Sequence, residues 1–341
     1  MKIIKKIQQA DKRKITAILC ILLLTILIDL GYAVLAGTKI PANLGAPAFL
    51  QNPLVFSITF FIITTLMGIV AVLAGIGGGV VYTPIMMGFT PINSFIIRGT
   101  GLLVAMAGAV VAGRPFLRRG VANIKLLLMT ACPYTLFAVI GALCAGCIRG
   151  THGEGLIRIA LGTLVLIIVA IFIFFRKKVD YPEVTRWDSL SEAIENKLNL
   201  STSYWEESID KVVSYTPTRH WLGLILFCFI GFISGLFGLG GGWAMVPALN
   251  IGMGLPLKVA ATCSKILIGM GDTAAVWAYI NMGAILPLFA VPCTIGLITG
   301  TIIGARIMLK VETKIIRYIL IAVLTASGIR LISKGLRLLH M

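Results

Sequence analysis

AGIGGGVVYTP, Ala74 to Pro84, interrupts an otherwise apolar stretch, and FGLGGGWAMVP, Phe237 to Pro247, repeats the interruption. Glycine and proline are the poorest helix formers. Matched breakers in one register mark a designed feature of the fold. The matching extends outward. Gly68 pairs with Gly231, Gly75 with Gly238, Gly77–Gly79 with Gly240–Gly242, Pro84 with Pro247, Gly120 with Gly283 and Gly141 with Gly304, each 163 residues apart. Pro91 and Pro256 stand 165 apart, a local two-residue insertion that later reverses. Ile157-Arg158 and Ile316-Arg317 open a similar last helix in each copy. The chain is a duplication.

Around the breaks the chain is built for lipid. Apolar residues make up 58% and charged residues 13%, where a soluble domain carries roughly 25% charged. A hydrocarbon core of about 30 Å takes about 20 apolar residues of helix. Such stretches recur at Ile15–Leu35, Leu54–Leu73, Ser94–Ala112, Leu126–Ile148, Ile157–Phe175, Trp221–Phe237, Val259–Ile280, Ile285–Met308 and Ile315–Ile332. The alternating segments of about ten residues that mark a membrane barrel are absent. The expected fold is an all-α polytopic membrane protein, a duplicated helical bundle.

The net charge of +17 does not indicate nucleic acid, because the basic residues lie at the ends of apolar segments. There they mark the cytoplasmic side. MKIIKKIQQADKRK places the N-terminus in the cytoplasm, with a retained first helix preferred over a signal peptide cleaved after Val34–Ala36. The expected location is the cytoplasmic membrane of a prokaryote.

Residues 1–52 form that helix and a Pro-rich connection, 53–178 the first copy, 179–218 an acidic cytoplasmic linker and 219–341 the second copy. The linker holds eight of the thirteen acidic residues. Ser189 with Glu192, and Ser203 with Glu206, have capping-box spacing, which predicts two short amphipathic helices there.

Charge also constrains the topology. If the segment after the first glycine motif does not cross, Arg114, Arg118, Arg119, Lys125 and Arg176–Lys178 fall outside, against the positive-inside tendency. If it crosses as a broken helix, they fall inside. Each copy then has an odd number of crossings, and tandem copies are inverted, as in many secondary transporters. Inverted repeats are preferred over a parallel four-plus-four bundle. Lys334 and Arg337 fit less well, since they fall outside.

Irregular backbone at membrane depth needs protein or water around it. Each glycine motif precedes a short helix expected to end at Pro84 or Pro247. The helix start offers N–H groups and a positive pole that suit an anion. A lone glycine triplet is better read as close helix packing; the duplication favours a site, with the two motifs facing each other across a pseudo-twofold axis.

The duplicated GxGGGxxxxP motif, Gly99-Thr100 and the later glycines resemble the sulfite exporter TauE/SafE family of membrane permeases, over roughly Phe56 to Ile332. The first helix and the acidic linker depart from the short family pattern. The resemblance implies transport of a small anion, such as sulfite, another sulfur oxyanion or an organosulfonate.

Intramembrane charge points the same way independently. A charge at mid-bilayer costs at least about 2.5–3.5 kcal/mol and usually faces a cavity or a partner. Arg98 precedes Gly99-Thr100, and Lys265 follows Ser264, which aligns with Thr100 if the register is 164. The expected substrate site comprises Gly77, Gly78, Gly79, Arg98, Thr100, Gly240, Gly241, Gly242, Ser264 and Lys265. Arg98 and Lys265 supply positive potential there, and Thr100 and Ser264 donate hydrogen bonds. Snorkelling from a helix end is the competing reading of Arg98. Asp272, two turns after Lys265, either pairs with it or carries a proton as coupling ion.

Other chemistry is excluded or weak. Neither glycine triplet is followed by Lys-Ser or Lys-Thr, so the chain is not itself an ATPase. Histidines stand only at segment ends, and Asp272 has no carboxylate companion in the first copy, so an intramembrane enzyme is not expected. Cys144-Ala-Gly-Cys147 is a lone CxxC among small residues, a packing feature; no metal or cofactor is expected. The partners are the anion, protons and lipid, with a homo-oligomer open. A passive anion channel or a carrier of an unrelated small carboxylate is the alternative.

Overall fold

The structure, a computed structural model, describes residues 52–73, 77–118, 124–148, 151–174, 202–206, 211–307 and 313–339. The expected first helix, the Ser189–Glu192 capping box and Arg176–Lys178 lie outside the described residues.

Each copy contributes four long helices and a short one. The first holds α1 (Pro53–Leu73), α2 (Gly78–Phe89), α3 (Ser94–Arg118), α4 (Ile124–Cys147) and α5 (Thr151–Phe174). The second holds α6 (His220–Phe237), α7 (Gly242–Pro247) with a π-helical turn at Ala248–Gly252, α8 (Leu257–Asn281), α9 (Pro287–Ile307) and α10 (Thr313–Leu339). Seven of these, α1, α3 to α6, α8 and α9, are long and apolar enough to cross a membrane. α10 is more charged, but at 27 residues it is about 40 Å long and packs along α5. Leu66, Ile225, Phe229 and Trp277 are at least 60% exposed, as side chains facing lipid must be.

One expectation in the linker fails. Thr202–Glu206 is a strand, β1, paired antiparallel with β2 (Lys211–Tyr215) in the register Thr202↔Tyr215 and Glu206↔Lys211. The Ser203/Glu206 spacing is therefore not a capping box. TSYWE and KVVSY are rich in β-branched and aromatic residues, which favour strands over short helices. Outside this hairpin the described elements are helical.

The packing of equivalent helices fixes the orientation of the copies. Along α5 and α10, Gly155 meets Gly335 and Leu339, while Gly162 meets Gly328 and Ile332. Numbers rise on one helix as they fall on the other, so these two equivalents are antiparallel. Along α3 and α8, Gly99 meets Tyr279 and Gly113 meets Lys265, again antiparallel. In contrast, α1 and α9 are parallel, with Gly68 beside Gly300 and Ile69 beside Gly304, as are α4 and α6, with Tyr134 beside Gly231 and Ala138 beside Gly235. Antiparallel equivalents mean an inverted repeat.

Chain direction then follows. α9 reverses α8 through the short turn at residues 282–286, so α1, which is parallel to α9, opposes α8 and runs with α3. The stretch between α1 and α3 must recross the membrane, and it consists of the glycine break and α2. The far end of α2 is held by charge. Arg158 Nη1 donates to Met87 O at 2.8 Å and Lys334 Nζ to Thr90 O at 3.3 Å. Cations suit carbonyls at a helix C-terminus. Glu154 bonds Arg158 at 2.7 Å and accepts from the Ser94 N–H at the start of α3, 3.3 Å away.

Candidate functional site

The two glycine motifs meet. A Cβ on Gly242 would lie 3.1 Å from Gly77 N, and one on Gly77 would lie 3.7 Å from Gly242 Cα. The starts of α2 and α7 thus face each other where the halves join. Gly77 caps α2 without a side-chain hydrogen bond, and Gly241 does the same for α7. Between α6 and α7, Gly238 and Gly240 have φ of 68° and 70°, which an L-residue adopts only with strain. Thr83 Oγ1 of α2 donates to Gly238 O at 2.6 Å, tying one half's short helix to the other half's loop.

Flanking this centre are two matched seats. Leu297 of α9 rests against Gly68, Gly78 and Gly108. Tyr134 of α4, 163 residues earlier, rests against Gly231, Gly241 and Gly271, the equivalents of those three glycines. The scaffold repeats while the chemistry does not. Tyr134 Oη donates to Asp272 Oδ1, and Ser234 Oγ donates to the same oxygen at 3.1 Å. Asp272 is fully buried, and its Oδ2 has no hydrogen-bond partner. That oxygen lies 3.1 Å from the position of a Cβ on Gly240. The 163-register equivalents of Tyr134, Ser234 and Asp272 are Leu297, Ala71 and Ala109.

The remaining expected residues are more scattered. Arg98 is buried, at 1% exposure, so it does not snorkel. Its Nε donates to Ser94 O at 3.3 Å, its Nη1 to Leu236 O at 3.2 Å, and it lies over the Phe95 ring. Together with Tyr279, which donates to Gly235 O at 2.8 Å, it caps the carbonyl end of α6. Lys265 stands beside Gly113. Tyr279, which is level with Arg98, lies fourteen residues further along α8, about 21 Å. The expectation that Arg98 and Lys265 share one site is therefore corrected, because antiparallel packing puts them on opposite sides of the centre.

Three further expectations change. α3 starts at Ser94 and α8 at Leu257, and Gly108 and Gly271 occupy equivalent seats, so the register there is 163. Thr100 is equivalent to Cys263, not to Ser264. Pro84 does not end α2, which continues to Phe89; one absent N–H removes a single helical bond, and close burial holds the rest. Pro247 does end α7, which widens into the π-helical turn. Asp272 bonds Tyr134 and Ser234, not Lys265.

Unpartnered buried donors lie on α3 and α7. Thr100 Oγ1 and Trp243 Nε1 have no hydrogen-bond partner. Trp243, Tyr134 and Ser234 were not singled out from sequence. A signal for the last two existed: three polar residues replace three apolar ones at register 163.

A family described as sulfite exporter TauE/SafE matches residues 60–331. The chain belongs to the TauE/SafE family. It is a multi-pass helical membrane protein of that family, built as an inverted repeat. A stretch of 115 residues is 34% identical to a probable membrane transporter protein, YunE, of Bacillus subtilis (strain 168). That likeness spans 34% of this chain and 42% of the relative. No solved structure matches. In TauE/SafE terms, the duplicated glycine motif is the seam between the two halves.

Proposed function

We propose that this TauE/SafE protein carries a small anion, a sulfur oxyanion or organosulfonate such as sulfite, across the cytoplasmic membrane of a prokaryote. The observation that carries this reading is the contact of Gly77 with Gly242 at the seam of an inverted repeat. Two helix starts face each other there, and both present backbone N–H groups and a positive pole. An anion fits between them where a cation would be repelled. Gly77–Gly79 and Gly240–Gly242 form the cradle, and Thr100 and Trp243 add donors that lack protein partners. Arg98 acts from beneath the loop by holding the end of α6. Lys265, with Ser264, lies toward one mouth, where its charge draws the anion in.

Because the two loops touch, the anion passes only when the halves separate. Inverted halves related by a twofold axis open alternately to the two sides, which is the behaviour of a carrier. The positive-inside tendency places the α3–α4 turn, the α5–α6 linker and the α9–α10 turn in the cytoplasm.

The test is uptake of sulfite, thiosulfate, sulfate, sulfoacetate and acetate into proteoliposomes containing the full chain. Saturable flux of a sulfur oxyanion or sulfonate, reduced in Gly77→Ala, supports the reading. Flux confined to acetate, or none in a correctly folded protein, overturns it.

A further inference from the structure

The seam is symmetric in backbone and asymmetric in chemistry. Tyr134 and Leu297 fill equivalent three-glycine seats, yet only the Tyr134 seat adjoins a carboxyl. Asp272 is buried, its Oδ1 accepts two hydroxyl donors, and its Oδ2 is unpartnered beside Gly240. The groups facing it are neutral or weakly acidic: Tyr134 from α4, Ser234 from α6 and the Gly240 backbone from the glycine loop. Ala105 of α3 presses a methyl against the same glycine. Of the intramembrane basic residues, Arg98 is engaged on Leu236 O and Lys265 stands beside Gly113. A buried carboxylate with no cation opposite is neutralised most cheaply by a proton.

Resting on the anion-carrier reading, we infer that Tyr134, Ser234 and Asp272 form a single proton-coupling site per chain, and that Leu297, Ala71 and Ala109 are its silent counterpart. The step is simple: Asp272 Oδ2 takes up one proton on one side of the membrane and releases it on the other. Only an O–H bond forms and breaks. Tyr134 and Ser234 are positioning residues. Their bonds to Oδ1 leave Oδ2 turned toward Gly240, on the loop whose neighbour Gly242 touches Gly77. Motion of that loop is thereby linked to the state of the carboxyl.

Protonation is read first without substrate. The purified full chain is titrated across about pH 5 to 9 while the carboxylic C=O stretch is followed by infrared difference spectroscopy. One titrating signal, absent in Asp272→Asn and displaced by about one pH unit in Tyr134→Phe, supports the proposal. A signal of constant intensity, no signal belonging to Asp272, or a response to sodium replacement in place of pH overturns it. Both variants must elute as the wild type does on size exclusion.

Transport is read second, in proteoliposomes with radiolabelled sulfite. Asp272→Asn is expected to lower accumulation driven by a pH gradient at least about tenfold more than sulfite exchange at equal concentrations. An equal loss of both overturns coupling and places Asp272 in the anion path. A wild type that titrates at Asp272 yet moves none of the anions tested leaves the proton site standing and removes the anion-carrier reading instead.

Discussion

Gly77 and Gly242 touch across the seam between the halves, one at the start of each short helix. The contact leaves space for one small change. A Cβ on Gly77 has its nearest neighbours at 3.7 and 3.9 Å, ordinary van der Waals distances. Gly77→Ala should therefore fold normally, with a change in stability of about 1 kcal/mol or less, while its methyl group narrows the seam and reduces anion flux. Thermal unfolding in detergent and flux in proteoliposomes separate the two effects.

Gly271→Ala should behave differently. The added Cβ would strike the Tyr134 ring, which is boxed in by Gly231 and Gly241. Overpacking of that kind costs about 1–3 kcal/mol. The matched change Gly108→Ala comes close to a methyl of Leu297, at 2.9 Å, the far end of a flexible side chain, and meets Thr301 Oγ1 at an ordinary 3.8 Å. Its unfolding temperature should fall less. Equal losses would show that the two seats are equally rigid and contradict this account.

Arg98 is bonded to the start of its own helix and to the carbonyl end of α6, so its removal should cost stability first. Arg98→Ala leaves Leu236 O short of a donor and opens a cavity, a loss of about 2–4 kcal/mol. Arg98→Lys, able to reach one carbonyl, should recover part of this. If Arg98→Ala melts as the wild type does but loses flux, Arg98 acts on the anion directly.

Inversion is checked by labelling. Lys125, at the start of α4, is exposed, and so is Asn281, at the end of α8. In a background free of native cysteines, Lys125→Cys should react with an impermeant thiol reagent from the cytoplasmic side and Asn281→Cys from the outside. Labelling of both from one side would restore a parallel arrangement.

The charged clasp at the end of α2 supplies a fifth check. Arg158→Ala removes the donor to Met87 O and the partner of Glu154. Glu154, 27% exposed, would lose its cation at a half-buried site and Met87 O its charged donor, so the expected loss is about 1–3 kcal/mol. Glu154→Gln with Arg158→Ala should lose less than Arg158→Ala alone, measured by thermal unfolding.

The sequence by itself determined the helices, the duplication and the place of the breaks. Helix in lipid follows from apolar length, and a glycine triplet weakens a helix wherever it stands. Charge at the segment ends already pointed to an odd crossing count. Only tertiary structure decided which residues meet. Antiparallel packing of α3 on α8 separated Arg98 from Lys265, two residues whose similar local settings had suggested a common site. It gave Arg98 to the carbonyl end of α6, 138 residues away. It also brought Tyr134 and Ser234 to Asp272, across 138 and 38 residues. Local sequence carries propensity and period, whereas contacts between distant helices depend on direction and register, which the fold sets as a whole. The motifs AGIGGGVVYTP and FGLGGGWAMVP are where the two levels join: their breaks are local, and the meeting of Gly77 with Gly242 belongs to the assembled pair.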